Sequence, residues 1–383
     1  MSSADSRLGS PHRIVFLMSS LTIGGSEKKV SKVANHLVQS GWTVEVAYLN
    51  SPCDLADSFS SSIKQTCFHR RQKLDVATIF RLRHFLLARR PAIIIVVNLF
   101  PLLYLYLSGC LARQQAFRTV ALINKTNYRK AIVDRFRALF YQRVLKRLDH
   151  IVFGAGYQRD LWEATYALRD VNSTVIYNGV DTDYFSPKAL IESRANIRAS
   201  LGIDCSDLVL VTVARFRPVK NLSLLLDAVN ALRVEYPQIK VILVGDGPER
   251  TRLEYAADQL GVKPLLRFTG SQQDVRPMLL AGDLFVLTSE SETFPNAALE
   301  AMSMGKAVIL PKIGGCPEMV SEGINGWFFS AGSATSLCQC VRNATNDPTK
   351  IRTMGRAARQ SVLERFPMRE MLRKFEKLIY EVT

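Results

Sequence analysis

Short apolar runs alternate with helically spaced apolar positions along most of the chain. Ile14 to Met18, Val44 to Leu49, Ile93 to Val97, Thr119 to Ile123, His150 to Phe153 and Thr174 to Ile176 have the length of buried strands rather than helices. Between the first two, Val30, Val33, Ala34, Leu37 and Val38 recur at helical spacing after Gly24-Gly25. The alternation resumes with Val209 to Ala214, Lys240 to Val244, Leu266 to Thr269, Leu284 to Leu287 and Ala307 to Leu310. Strands alternating with helices predict parallel sheets covered by helices on both faces, so the fold class is α/β. Two series predict two Rossmann-like domains, 1–182 and 183–362, followed by a terminal helical segment, 363–383. The pattern breaks from Asp181 to Asp207, where Pro187 and several charges mark a linker. No internal repeat or coiled-coil heptad is visible.

Three segments need separate treatment. Residues 1–12 are polar and Ser-rich and read as a disordered leader, and Ile14 to Met18 is too short for a signal-peptide core. Ala92 to Ala112 has the length of a membrane span, but Asn98 and Pro101 interrupt it and Ile93 to Val97 is β-branched. A buried strand, a turn and a helix from Pro101 account for it better. At the end, Met371, Leu372, Phe375, Leu378 and Ile379 follow Phe366-Pro367 as the apolar stripe of an amphipathic helix.

With 383 residues, 48% hydrophobic and 22% charged, the chain is globular and long enough for two cores. Its seven Cys include no Cys-x-x-Cys and suit a reducing compartment better than a disulfide framework. The five His stand far apart with no paired spacing, so no metal site is expected.

The densest chemistry lies in Ser289-Glu290-Ser291-Glu292-Thr293-Phe294-Pro295-Asn296-Ala297-Ala298-Leu299-Glu300. Pro295 suits the first turn of a helix, which puts Glu292 in the loop before it and Glu300 inside it. Unpaired N–H groups at that helix start favour phosphate, while two carboxylates accept hydrogen bonds from sugar hydroxyls. The implied ligand is a nucleotide sugar. The competing reading makes Ser289 and Glu292 a capping box and Glu300 an ordinary solvated residue.

This stretch resembles the glutamate-x7-glutamate signature of the retaining family 4 glycosyltransferases, and Gly314-Gly315-Cys316-Pro317-Glu318 follows where that family has a Gly-Gly-x-x-Glu turn. Gly24-Gly25-Ser26-Glu27 resembles the family's Gly-rich first turn, and Asn178-Gly179-Val180-Asp181 the element that closes its N-terminal domain. Val213-Ala214-Arg215-Phe216-Arg217-Pro218-Val219-Lys220-Asn221 is similar to the segment whose Arg and Lys bind the diphosphate. Val244-Gly245-Asp246-Gly247-Pro248 and Arg267-Phe268-Thr269-Gly270 resemble strand ends beside the nucleotide. The resemblance covers most of the chain and implies the GT-B fold, two Rossmann-like domains whose parallel sheets face a central cleft.

What the resemblance implies for chemistry is glycosyl transfer with retention, without metal or cofactor. Glu292 would hold sugar hydroxyls, with Arg215 and Lys220 neutralising the leaving diphosphate. Donor contacts would come from Gly24, Gly25, Glu300, Phe294, Asn296, Ala297, Thr269 and Gly270, with Glu300 on the ribose. The chain departs from the pattern after Thr119 to Ile123, where many members carry a His and this sequence reads Asn124-Lys125-Thr126-Asn127. Asn124, Lys125 and Asn127 are the substitutes on the acceptor side. Two other functions compete. A GT-B nucleotide-sugar 2-epimerase would need a His-Glu cluster that is not recognisable, and a nucleic-acid binder finds only the charge in its favour. Gly24-Gly25 lacks the spacing of a dehydrogenase fingerprint.

Charge is distributed unevenly. Residues 1–180 hold 25 Lys+Arg against 11 Asp+Glu, and 181–383 hold 25 against 23, so +14 of the +16 lies in the first domain. In the resembled family a basic acceptor domain commonly accompanies a lipid-linked saccharide, which implies a cytoplasmic enzyme peripheral on the inner membrane face, attracted to anionic lipid.

Overall fold

The computed structural model describes residues 13–22, 24–111, 117–124 and 134–383. Strands buried on both faces read as unbroken apolar runs, and Ile93–Val97, buried at all five positions, is the clearest case. The chain divides into two compact units, 1–177 with 371–383 and 178–370. The sequence pattern placed these divisions at 182/183 and 362/363. Asn178 to Asp181 groups with the second unit, because Val180 N–H donates to Phe366 O and Met368 N–H to Val180 O.

Unit 1 runs β1 (Arg13–Met18), α1 (Gly25–Gln39), β2 (Thr43–Tyr48), β3 (Lys64–Cys67), α2 (Val76–Arg89), β4 (Ile93–Val97), α3 (Leu99–Leu107), β5 (Arg118–Ile123), α4 (Asp134–Leu145), β6 (His150–Phe153), α5 (Gly156–Tyr166) and β7 (Ser173–Val175). Its sheet is parallel, in the order β3-β2-β1-β4-β5-β6-β7. Leu82 and Leu86 of α2, Leu102 and Leu105 of α3, Val144 and Leu145 of α4 and Trp162 of α5 share one core with Val15, Leu17, Ile94 and Ala121. These helices therefore cover one face of the sheet.

Unit 2 runs α6 (Arg194–Ser200), β8 (Leu208–Val213), α7 (Leu222–Leu232), β9 (Ile239–Val244), α8 (Arg250–Gln259), β10 (Leu266–Gly270), α9 (Arg276–Ala281), β11 (Leu284–Val286), α10 (Asn296–Ser303), β12 (Ala307–Pro311), α11 (Cys316–Met319), β13 (Gly326–Phe329), α12 (Ala334–Thr345) and α13 (Pro348–Arg365). The last helix, α14 (Met368–Val382), contributes Met371 onward to unit 1, where Phe375 lies under Lys29 and Glu376 accepts from His36. The second sheet is also parallel, in the order β10-β9-β8-β11-β12-β13. In both sheets the order reverses beside the first strand, at β1/β4 and β8/β11. Such switch points leave a crevice at the strands' carboxyl ends where ligands bind.

Two strands escape the sequence pattern. Both occupy sheet edges: Lys64–Cys67 is polar, since pairing on one side relaxes the demand for apolar residues, whereas Gly326–Phe329 is apolar but only four residues long. The segment after Ala92 is strand, turn and helix, although α3 starts at Leu99 rather than Pro101. With nine residues, α3 is roughly 14 Å long, about half the hydrocarbon thickness of a bilayer. No helix among the described residues is long and apolar enough to cross a membrane. The predicted linker contains α6, anchored by the buried Arg198, which donates to Ala281 O at 2.9 Å and to Asp283 Oδ2 at 2.7 Å.

Candidate functional site

The loops after β8 and β11 meet at the switch point of unit 2. The β8 loop ends in a single 3-10 turn, Pro218–Lys220, and the β11 loop runs up to Pro295, which caps α10. Backbone and side chain join them: Glu290 N–H donates to Val219 O at 2.9 Å, and Thr288 Oγ1 donates to Lys220 O at 2.9 Å. Lys220 Nζ then donates to Glu292 Oε1 at 2.6 Å. The Glu292 side chain is 10% exposed and that of Lys220 25%, so the pair is only partly screened by solvent.

A second contact fixes Glu292 from below. Gly314 has φ +52, and a Cβ there would lie 1.8 Å from Glu292 O. Only glycine lets the Gly-Gly turn approach so closely. Buried next to this carboxylate, the Cys316 thiol is pushed well above its ordinary range, by burial first and then by Glu292.

The β8 loop is held on its other side by the loop after β9. Phe216 N–H donates to Asp246 O at 2.8 Å and Gly245 N–H to Gly270 O at 2.8 Å. A Cβ at Gly245 would meet Ala214 O at 1.9 Å, and one at Gly247 would meet Phe216 O at 2.3 Å. The two glycines thus serve backbone packing between strand ends. Phe216 is buried in the core, whereas Arg215 is exposed on the same loop.

Helix α10 begins at Asn296, one residue later than the sequence suggested, and Glu300 is its fifth residue. The capping-box alternative is overturned: Pro295 is the N-cap, no side chain caps the helix, and Ser289 Oγ is buried without a hydrogen-bond partner. Asn296 Oδ1, at the first position of α10, is likewise buried without a partner. Phe294 is 3% exposed, with its ring against Phe366 at 5.2 Å, so its side chain belongs to the core. Its carbonyl accepts from Asn178 Nδ2 at 2.9 Å, a tie to the start of α10 that motif reading alone did not reveal.

The remaining candidates lie on other elements. Thr269 and Gly270 end β10, where Gly270 has φ +71 with open space at its Cβ position. Gly24 caps α1 in unit 1 and Gly25 is its first residue. Asn124 follows β5, its N–H donating to Asn98 Oδ1 at 3.0 Å. Asn98 itself, a non-glycine residue at φ 66, follows β4. Lys125 and Asn127 lie outside the described residues.

Among the described residues no group of three His, Cys, Asp or Glu could hold a metal ion. The arrangement offers two cations, a carboxylate braced between loops, and a helix start with an unsatisfied amide oxygen. That set suits an anionic, hydroxyl-bearing ligand.

Residues 23–184 match the family model described as Glycosyltransferase Family 4, and residues 193–361 that described as Glycosyl transferases group 1. An N-acetyl-alpha-D-glucosaminyl L-malate synthase of Bacillus anthracis is 30% identical over 207 residues, 54% of this chain and 53% of the relative. The lipopolysaccharide core biosynthesis glycosyltransferase LpsD of Rhizobium meliloti is 30% identical over 44% of this chain and 48% of its own. The chain thus spans about half the length of these curated relatives. The crystal structure of Anabaena Alr3699/HepE in complex with UDP superposes with a TM-score of 0.80 at 21% identity, covering 96% of this chain and 100% of that one. The likeness establishes the shared fold, two Rossmann-like domains with parallel sheets.

Proposed function

We propose that this chain, which belongs to the glycosyltransferases over residues 23–184 and 193–361, moves a hexose or N-acetylhexosamine from a nucleotide diphosphate sugar to a saccharide acceptor. The observation that carries the reading is the Lys220–Glu292 pair, set between the β8 and β11 loops next to the start of α10. Lys220 and Arg215 would take the diphosphate, Arg as a bidentate fork and Lys as a point charge. The first amides of α10, at Asn296 and Ala297, add a partial positive charge to the same place. Charge builds on the leaving phosphate in the transition state, where preorganised donors contribute most.

Glu292 would receive hydroxyls of the transferred sugar, and Asn296 Oδ1, which lacks a partner, would accept another. Glu300 would face the ribose, and Thr269 and Gly270 the nucleoside. The reaction runs with retention, the acceptor hydroxyl attacking from the leaving-group side as its proton passes to the departing phosphate oxygen. Two cations and a helix start make a metal unnecessary in this scheme, and no cofactor is used.

The UDP complex of the structural neighbour supports a UDP-sugar as donor. The relative named for lipopolysaccharide core biosynthesis supports a saccharide acceptor of cell-surface type. The excess of Lys and Arg in residues 1–180 supports a lipid-linked acceptor, met by a chain peripheral on the inner membrane face. A panel of nucleotide sugars, read by nucleotide release and by shift of Tm, tests the reading, since a ligand bound only by the folded state raises Tm. Free nucleoside diphosphate together with a new glycoside is the expected product. Epimerised donor, or no stabilisation by any nucleotide sugar or diphosphate, would sink it.

A further inference from the structure

Helix α2 turns apolar side chains outward. Thr78, Leu82 and Leu86, spaced by four, face the core and are fully buried. On the opposite side Val76 is 57% exposed, Phe80 65% and Leu87 47%, and Leu74, just before the helix, is 57% exposed. A globular surface helix places charge there. Four large apolar residues within 14 positions form a stripe, whereas isolated exposed hydrophobics would call for no explanation.

Charge frames the stripe at both ends. Arg71 and Lys73 lie before the helix and Arg90 after it, all exposed, with His84 exposed within the stripe. The nearest carboxylate, Asp75, is turned inward: it caps α2 through Thr78 N, accepts from Arg71 N and pairs with Arg81. Other cations of the helix are already used, Arg83 by Ser108 O and Arg89 by Glu45. Among the described residues the outer face therefore carries apolar side chains at the centre and cations without an ion-pair partner at the rim. At about 21 Å for 14 residues, α2 is long enough to lie flat along a bilayer surface.

We infer that the outer face of α2 is the surface by which unit 1 docks on anionic lipid, with Phe80 and Leu87 entering the acyl boundary while Arg71, Lys73 and Arg90 stay among the headgroups. This rests on the membrane-peripheral part of the proposed function and assigns it to one helix. Long cationic side chains can keep their charge in the headgroup layer while their stems lie on apolar surface. Neutral lipid would satisfy the stripe but not its rim, and a second copy of this chain would bring the same cations against each other.

The experiment uses the full chain and vesicles of equal parts phosphatidylglycerol and phosphatidylcholine, with pure phosphatidylcholine as the neutral comparison. Wild type should co-sediment with the anionic vesicles and hardly with the neutral ones, and salt should release it as exposed charges are screened. A Phe80→Ser/Leu87→Ser variant should partition about tenfold more weakly, from the apolar area it no longer buries. Phe80→Trp keeps an exposed aromatic and so guards against a folding defect. Its emission should shift to the blue on anionic vesicles only. Wild type left in the supernatant at low salt, equal binding to neutral vesicles, or a Phe80→Trp emission that vesicles do not change would overturn the assignment. So would vesicle-independent self-association that the double variant abolishes. UDP binding is measured on the same samples. UDP binding kept without vesicle contact refutes the α2 surface alone, and vesicle contact without binding of UDP or any other nucleoside diphosphate refutes the glycosyl-transfer reading alone.

Discussion

Lys220 Nζ donates to Glu292 Oε1 across 2.6 Å, joining the loop after β8 to the loop after β11 at the point where the strand order reverses. The pair stands on a backbone frame: Thr288 Oγ1 holds the Lys220 carbonyl, and Gly314 packs against the Glu292 carbonyl. A ligand diphosphate would compete with Glu292 for the same ammonium. Donor binding would then free the carboxylate for sugar hydroxyls, which links the phosphate half of the site to the sugar half.

The two glutamates should therefore fail differently. On the proposed assignment Glu292→Ala would remove a contact to the reacting sugar and should lower kcat by roughly a hundredfold or more. Glu300→Ala would remove a ribose contact, alike in ground and transition states, and should mainly raise donor KM. Steady-state kinetics on the preferred nucleotide sugar checks both. Equal effects on kcat and KM in the two variants would remove the assignment.

Phosphate affinity should depend on both cations. Arg215→Ala and Lys220→Ala should each weaken nucleoside diphosphate binding by roughly 1.5 to 3 kcal/mol, the range for charged hydrogen bonds, while nucleoside without phosphates binds as to wild type. Lys220→Ala also leaves Glu292 without its partner, so its Tm should fall, and adding Glu292→Gln should recover part of the loss. Calorimetry that finds diphosphate affinity unchanged in both single variants would place the phosphate site elsewhere.

The parallel sheets were legible because strands buried on both faces cannot hide their composition: Ile93 to Val97 announces itself, and so do Val209 to Ala214 and Ala307 to Leu310. The edge strand Lys64–Cys67 was not, since one-sided pairing leaves no such mark, and the apolar Gly326–Phe329 is too short for its pattern to tell strand from helix. At the site, residue types and spacing pointed to the loops around Lys220 and Glu292, but the ion pair joins positions 72 apart in sequence and needs the β8/β11 neighbourhood to exist. Phe294 has a structural role that its place in the motif does not announce: its ring packs on Phe366 in the core. Gly245 and Gly247 could have been read more closely, for two glycines around one Asp at a strand end signal backbones in close approach.

Gly314→Ala should be damaging well beyond the loss of a flexible residue. The substitution forces an L side chain to φ +52 and drives its Cβ into Glu292 O, so the Glu292 loop has to move. Loss of stability of about 1 to 3 kcal/mol is expected, with kcat reduced more than in Gly323→Ala, where φ is +75 but no atom lies within 4 Å of the new Cβ. Comparing the two by denaturant melts and kinetics separates backbone strain, which both carry, from displacement of Glu292, which only one does. Equal kcat in the two variants would disconnect Gly314 from the site.

Stability should rise with pH above neutrality because of a buried lysine. Lys306 donates to Leu280 O at 3.0 Å and Gly282 O at 2.7 Å, and its pKa is lowered from 10.5 to about 7, by burial first and then by Arg194, with Arg198 adding and Asp283 opposing. Between pH 7 and 10.5 the unfolded chain holds a proton that the folded chain has released, so this group's contribution to stability grows as pH rises and is lost as pH falls to about 7. The slope for one such lysine is about 1.4 kcal/mol per pH unit. Lys29, lowered to about 7 by burial alone beside Ile176 O, acts in the same direction in unit 1. Urea melts at neutral and mildly alkaline pH should show the rise in wild type, and Lys306→Met should remove its share, whatever the substitution does to absolute stability by losing the two carbonyl contacts. Parallel pH profiles for wild type and Lys306→Met would mean that Lys306 stays charged in the folded state, held by those carbonyls and Asp283 against the cost of burial.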